Sequence, residues 1–453
     1  MLTRDMTESP APGKTGETAR PVVRNRLEHG ISRADIDPDA LEVLYTLSRA
    51  GYTAYLVGGG VRDLLRGAHP KDFDVSTNAH PRAIKRLFRN CFLVGRRFRL
   101  AHIRFGQKAI ETSTFRRQPE PGDDAEDAQA ELLQHHDNEF GTPEEDAHRR
   151  DFTINGLFYD IRTFRVVDYV GGLQDLDRKL IRCIGNPDIR FREDPVRMVR
   201  AVRFASRLGF SIEQETWNAI RRHHSEIAKA SPPRLVEEIH RLFGYGAGAA
   251  AFRLLHETGL MEDLFPELSA MLESGADAGL FWRFLDAYDA WEKKAGAFSP
   301  ALAWAALSYS LFEICVTEHH RTHGIAVHDE CAHTTVSQLA SRLQLPKRIA
   351  FEVIHALAAQ ARFGSPPRGT VPPRFMLYPS FQTALDLYEL VAVSTGGPLE
   401  PVAQWRRMAE QLPQHRQHDG DAPPRRSRSG RGRRRRNSRH TAIDRRPRAS
   451  GNG

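Results

Sequence analysis

The 453 residues, 40% apolar and 27% charged, suffice for about two to four domains with a sizeable core, which excludes a chain disordered throughout. The formal charge of +8 belongs to one end: the 29 residues from Arg425 onward hold twelve arginines and a single acid, Asp444, and the remainder is slightly acidic. Four cysteines without paired spacing (Cys91, Cys183, Cys315, Cys331) argue against a disulfide framework and predict a reducing, cytoplasmic setting.

In chain order, residues 1–35 are polar and predict a disordered extension, and the opening MLTRDMTESPAPGKTGETARP has none of the apolar run that a secretory leader needs. Leu41, Leu44 and Leu47 at near-helical spacing predict a helix over Pro38–Ala50. From Tyr52 to Phe115 the pattern shortens. TAYLVGG reads as a strand, VRDLLRG as a helix, DFDVST as a strand, PRAIKRLFR as a helix, and CFLVGRR, LAHIRFG and AIETSTFR as three successive strands. Strands that follow one another without helices require an antiparallel part to the sheet, so the fold class is α+β rather than doubly wound. Residues 118–139, QPEPGDDAEDAQAELLQHHDNE, are acidic and aperiodic and predict an insert or flap. Helical patterns dominate from residue 193 to 411. Within them, ALAWAALSYSLFEICV contains Glu313 and falls short of about 18 apolar residues, so it predicts a buried core helix and no membrane span. Arginine in a Ser/Gly/Pro context, as in the tail, predicts disorder and affinity for phosphates, either as a nucleic-acid tether or as a solubilising tail.

The stretch LVGGGVRDLLRGAHPKDFDVS places three glycines before two aspartates one residue apart. Read as one strand, DFDVS turns Asp72 and Asp74 to the same face with Phe73 buried behind them. Two crowded carboxylates are unfavourable unless a cation lies between them, and hard divalent ions that also bind phosphates suit such a pair. Gly58, Gly59 and Gly60 let backbone N–H groups approach a triphosphate, and Arg62 adds a cationic fork. Neither a dinucleotide fingerprint nor a P-loop fits: Asp63 stands where the last glycine of the former belongs, and no Gly-Lys-Ser/Thr follows. A two-metal site wants a further carboxylate, and Glu111 in AIETSTF and Asp151 in HRRDFTIN are the candidates. Asp151 with Arg149 and Arg150 would hold a ribose through the acid and phosphates through the arginines; the alternative is a surface salt-bridge cluster.

REDPVRMVRAVRFASRLGF, residues 192–210, has helix grammar: Asp194 as N-cap, Pro195 in the first turn and Gly209 at the end. Arg197, Arg200, Arg203 and Arg207 gather on one side, opposite Met198, Ala201, Val202, Ala205 and Leu208. Asp194, Arg197 and Arg200 are candidates to read a base edge, against the plainer reading of a solvated face. Downstream, CVTEHHRTHGIAVHDECAH concentrates Cys315, His319, His320, His323, His328, Cys331 and His333. No Cys-x₂₋₄-Cys pair is present and the residues straddle a helix and a loop, so zinc is not expected there.

GGGVRDLLRG, KDFDVST, GRRFRLAH, IETSTFR, RRDFTIN, DYVGGLQDL and IGNPDIRFREDPVRMVRAVRFA, in this order, resemble the bacterial poly(A) polymerase / tRNA CCA-adding nucleotidyltransferase family. The resemblance implies a polymerase-β-like palm over residues 36–180, a helical neck over 181–270, a helical body and C-terminal domain over 271–411, and the arginine-rich tail over 412–453. It implies two Mg²⁺ ions on Asp72 and Asp74 with Glu111, Asp151 as the acid of the Arg-Arg-Asp motif, and a triphosphate at Gly59 and Arg62. It further implies that Asp194, Arg197 and Arg200 read the incoming base. ATP would be the substrate and RNA 3′ ends the acceptor, with the RNA-degradation machinery as partner, a monomeric state and no membrane. GRRFRLAHIRFG, FGTPEEDAHRRDFTIN, the N-terminal extension and the tail resemble the polyadenylating branch. The alternatives are CCA addition to tRNA and a catalytically inactive RNA-binding relative.

Overall fold

The computed structural model describes residues 20–95, 100–117, 140–275, 278–323, 327–364 and 374–410; the acidic stretch 118–139, residues 1–19 and the arginine-rich tail lie outside them. Eight strands form one mixed sheet: β1 (Val22–Arg24), β2 (Ala54–Val57), β3 (Asp74–Thr77), β4 (Cys91–Val94), β5 (Leu100–Phe105), β6 (Lys108–Thr114), β7 (Leu157–Asp160) and β8 (Arg165–Asp168). Their spatial order is β1-β8-β7-β2-β3-β6-β5-β4. Within this sheet, among the described residues, only β3 and β6 run parallel, so the expected α+β class with an antiparallel meander of β4, β5 and β6 is present.

Helix α1 (Pro38–Arg49) starts where Asp37 accepts a hydrogen bond from the Asp39 N–H at 2.9 Å, with Pro38 in the first turn. Its buried stripe is Ala40, Val43, Leu44 and Leu47, which includes two of the three predicted leucines while Leu41 is half-buried, and it packs on β2 and β3. Helix α2 (Gly59–Leu65) follows β2 directly. α3 (Pro81–Leu87) follows β3, and α4 (Pro143–His148) begins in a capping box of Thr142 and Glu145. Between the sheet and the helical part lie α5 (Gly172–Arg178), α6 (Pro187–Glu193), α7 (Val196–Leu208), α8 (Gln214–His223) and α9 (Pro232–Leu242). Nine further α-helices follow between Gly248 and Glu410 among the described residues.

Four expectations need correction. Residues 20–35 are not disordered: β1 pairs antiparallel with β8, Val22 opposite Asp168, so part of the N-terminal extension closes the sheet edge. A three-residue strand carries no periodic signal, and its partner lies far downstream. The DFDVST strand begins only at Asp74, so Asp72 stands in the turn before it, although Phe73 is buried as expected. The reason is pairing: β2 ends with Val57 opposite Asp74 and turns into α2, leaving Asp72 without a neighbouring strand. The helix read within 192–210 ends at Gly209 as expected but starts at Val196, with Pro195 rather than Asp194 as its N-cap residue, because Asp194 and Pro195 separate it from α6. Lastly, Cys315 and Cys331 form a disulfide that joins two packed helices, Pro300–His323 and His328–Leu343, with Cα atoms 5.7 Å apart.

Pro300–His323 is long and apolar enough to cross a membrane by length and composition, but 67% of its apolar window is buried within the protein. Trp304 at its core donates from Nε1 to His240 Nε2 at 2.7 Å, tying this helix to α9. It is the core helix predicted for this stretch.

Candidate active site

The sheet register assembles the acids. Val75 lies opposite Thr112 and Ser76 opposite Ser113, which places Asp74 beside Glu111 on the same face. The hydroxyls of Ser76 and Ser113 meet at 2.9 Å on that face. Asp74 is open to the cleft but crowded by protein on its other sides. Its carboxyl is pushed up to about 6, by desolvation first and then by the negative charge of Glu111, with Arg150 opposing and Asp72 adding. The charges of Glu111 and Asp72 thus press on Asp74 with Arg150 only partly offsetting them, and hard-oxygen donors in that state fit Mg²⁺.

The glycines shape the approach. Gly58 takes φ 71°, ψ −136°, a region that favours glycine, and its N–H donates to the Leu157 carbonyl at 3.1 Å. A side chain at Gly58 would come within 3.1 Å of Arg150 Nη1, and one at Gly60 within 3.4 Å of the Asp72 carbonyl. The bare backbone therefore lets α2 lie against both the acid turn and Arg150.

A cleft of about 440 Å³ opens here. Gly58, Gly59, Gly60, Asp72, Asp74, Arg150 and Asp151 line it from the sheet side, and Asp194, Arg197, Arg200, Arg203 and Arg207 from the helical side. Nine cationic side chains against five carboxylates make its wall positive, as an anionic ligand requires. The four-arginine face of α7 is thus the floor of a cleft rather than a solvated surface, and Met198, Ala201, Val202, Ala205 and Leu208 are buried behind it as expected.

Individual partners sharpen these placements. Asp151 Oδ2 accepts from Arg200 Nε at 2.9 Å and Nη2 at 2.5 Å, while Oδ1 accepts from the Asn155 side chain at 3.0 Å and the Phe152 N–H at 2.8 Å. The Arg200 charge, with these hydrogen bonds, holds the Asp151 carboxyl well below the usual carboxylate range despite its burial. Arg200 Nη1 also donates to Glu238 at 3.0 Å. Arg62 is buried, 2% exposed, and its donors face Asp63 and Asn155 at 2.8 and 2.7 Å. It lines the cleft as a rigid wall. Arg150 pairs with Asp146 at 3.0 Å and reaches Ser76 at 3.4 Å; Arg149 pairs with the same Asp146 and is not among the lining residues. Asp194 does not cap α7 through its side chain: it accepts a bidentate pair from Arg234 at 3.1 and 2.8 Å. Arg197 donates to the Arg190 carbonyl and to Glu193.

Sequence reasoning overlooked Asn155, Glu238, Arg234 and Tyr245. Asn155 was findable, since it follows Asp151 by four residues within RRDFTIN. Tyr245 stands between two glycines at a helix junction with φ 66°, ψ 19° and is 49% exposed. Its ring lies 4.0 Å from the Arg207 guanidinium and 5.0 Å from the Lys71 ammonium, at the cleft wall.

Residues 54–182 match the family model of the poly(A) polymerase head domain, 209–272 that of the probable RNA- and SrmB-binding site of polymerase A, and 322–440 that of the polymerase A arginine-rich C-terminus. Poly(A) polymerase I of Salmonella typhi is 42% identical over 422 residues, covering 89% of this chain and 90% of the relative. The chain belongs to the poly(A) polymerase family. CCA-adding enzymes are relatives over a shorter stretch of sequence. That of Lactobacillus helveticus is 38% identical over 51% of this chain and 56% of its own length. Among solved structures, the Bacillus stearothermophilus CCA-adding enzyme in complex with CTP superposes with a TM-score of 0.61 at 28% identity, over 83% of each chain. Seven of the eight strands, β2 to β8, and the sheet side of the cleft thus lie within the stretch that matches the poly(A) polymerase head domain, and helices beyond it fall in the stretches that match the family's other two models.

Proposed function

We infer that this chain is a template-independent polynucleotide adenylyltransferase, adding AMP from ATP to RNA 3′ ends in the cytoplasm. The observation that carries the reading is that Asp72 and Asp74 line a cleft with a cationic wall, with Glu111 beside Asp74 in the sheet register and the glycine turn packed against the acid turn. Sequence likeness to poly(A) polymerase I over 89% of the chain, against 51% for the CCA-adding enzyme of Lactobacillus helveticus, favours polyadenylation over CCA addition. Incubating the protein with an RNA primer and each nucleoside triphosphate separately tests it: long extension with ATP alone is expected, and a product that stops after two C and one A overturns it.

Asp72 and Asp74, with Glu111, would hold two Mg²⁺ ions, which when bound lower the pKa of the RNA 3′-hydroxyl and neutralise charge on the pyrophosphate leaving group. The chain's own groups do the rest. The half-buried backbone at Gly59, which lines the cleft, and the guanidinium of Arg150 receive the triphosphate. Arg62, held by Asp63 and Asn155, keeps that wall rigid and positive. Asp151 is a positioning residue that fixes Arg200 through two hydrogen bonds, so that Arg200 and Arg203 present ordered charge to phosphate or ribose. Asp194, oriented by Arg234, and Arg197, oriented by Glu193, face the base and select adenine.

Tyr245 supplies a stacking surface for a base at the cleft mouth, pre-set by two cations. Tyr245→Phe keeps activity, whereas Tyr245→Ala raises the KM for RNA primer by about tenfold or more, since one base–aromatic stack is worth about 1–3 kcal/mol. An unchanged KM in Tyr245→Ala removes that role. Deleting residues 425–453 weakens RNA binding and flattens its salt dependence, because fewer phosphate contacts release fewer counterions. A filter-binding titration over a range of KCl reads this directly.

A further inference from the structure

The Cys/His segment that sequence spacing argued against is drawn together by the fold. Cys315 and His319 stand one turn apart on the helix Pro300–His323, and Cys331 faces them from His328–Leu343. Both sulfurs and one ring nitrogen of His319 lie within 4.8 Å of one another. Four-coordinate zinc with two thiolates and an imidazole sets its donors about 3.5–3.8 Å apart, so small side-chain rotations suffice to close this triangle around an ion. The spacing rule looked for two thiolates on one loop; here the second comes from a neighbouring helix, 16 residues on. His323 packs on the His319 ring with centroids 5.4 Å apart, which limits the orientations of that imidazole. None of the three residues lines the catalytic cleft.

We propose that Cys315, His319 and Cys331 bind zinc in the reduced protein, clamping the two helices in the place that the disulfide takes on oxidation. The interconversion balances with a dithiol as reductant. The S–S bond accepts two electrons and two protons to give two thiols while the dithiol closes to its own disulfide, and zinc then displaces both thiol protons. Thiolate and imidazole donors select zinc over the magnesium that the carboxylates of the cleft take. Cys315 and His319 are only half buried, so the fourth coordination position opens to solvent and a water fills it. The site is a helix clamp, separate from nucleotidyl transfer.

The test uses untagged full-length protein, reduced with dithiothreitol under argon, desalted and titrated with Co²⁺. One equivalent is expected to give thiolate-to-cobalt charge-transfer absorption and tetrahedral ligand-field bands, which one equivalent of Zn²⁺ bleaches. The oxidised protein gives neither. His319→Ala still forms the Cys315–Cys331 disulfide, which certifies its fold, and its reduced form binds zinc at least about tenfold more weakly. Cys331→Ser loses most of the charge-transfer intensity. Absence of these bands in the reduced wild type, or equal bands and affinity in His319→Ala and Cys331→Ser, overturns the proposal.

Discussion

Asp74→Asn lowers AMP incorporation by on the order of 10³–10⁴-fold while the protein stays folded. The magnitude follows from losing several kcal/mol of charge stabilisation at the reacting phosphate, at about 1.4 kcal/mol per factor of ten. Folding survives because Asp74 is a liability in the metal-free protein: its carboxyl sits at about 6, above the ordinary 3.8, through desolvation and the neighbouring Glu111 and Asp72 charges. A folded-state pKa raised in this way means that ionisation opposes folding. The penalty is fully present above about pH 6 and is relieved as pH falls toward 3.8. Asp74→Asn carries no such charge, so its thermal midpoint without metal at pH 7.5 equals or exceeds that of the wild type. Mg²⁺ raises the wild-type midpoint and leaves the variant's nearly unmoved. Protons compete with the metal for the same oxygens, so the Mg²⁺ concentration needed for half-maximal wild-type activity rises as pH drops through about 6. Calorimetry with and without Mg²⁺, beside a primer-extension assay, measures all of this; near-normal incorporation by Asp74→Asn or Asp72→Ala would remove the metal assignment.

Arg200→Ala produces the largest loss of stability, about 3 kcal/mol in urea unfolding. Arg200 bridges two largely buried acids, with Asp151 and Glu238 side chains 11% and 7% exposed. Removing one member of a buried pair leaves the other charge uncompensated, which costs about 3–5 kcal/mol. The lower end applies because Asp151 keeps Asn155 and the Phe152 N–H, and Glu238 keeps Arg203 and Arg241. The pH dependence separates this from a loss of packing. Asp151 ionises well below its ordinary value in the folded protein, so its contribution is present above pH 3.8 and is lost as pH falls beneath it. In Arg200→Ala that acid-sensitive contribution shrinks, and a double-mutant cycle with Asp151→Asn returns a coupling of about 1 kcal/mol or more. An unaltered midpoint would show that the pair does not support the fold.

Short-range pattern in the chain was enough for the strand–glycine helix–strand unit, the meander of three strands, the buried apolar side of α7 and the core helix after Pro300, because each rests on periodicity within about a dozen residues. The acids Asp72, Asp74 and Glu111 were legible for the same reason together with their family resemblance. Tertiary structure alone decided which groups meet. Asp74 and Glu111 are neighbours through a parallel register between β3 and β6, which no local signal encodes. Asp151 is fastened to Arg200 across 49 residues, and Asp194 is turned to Arg234 instead of capping its helix, because unpaired charge in a half-buried cleft takes the nearest opposite charge whatever its place in the chain. Val22–Arg24 became a strand only because β8 offered an unpaired edge. Cys315 and Cys331 met only because two helices pack side by side. Periodicity is a property of consecutive residues, whereas charge pairing, strand edges and metal-ligand geometry are properties of proximity, and proximity is set by the completed fold.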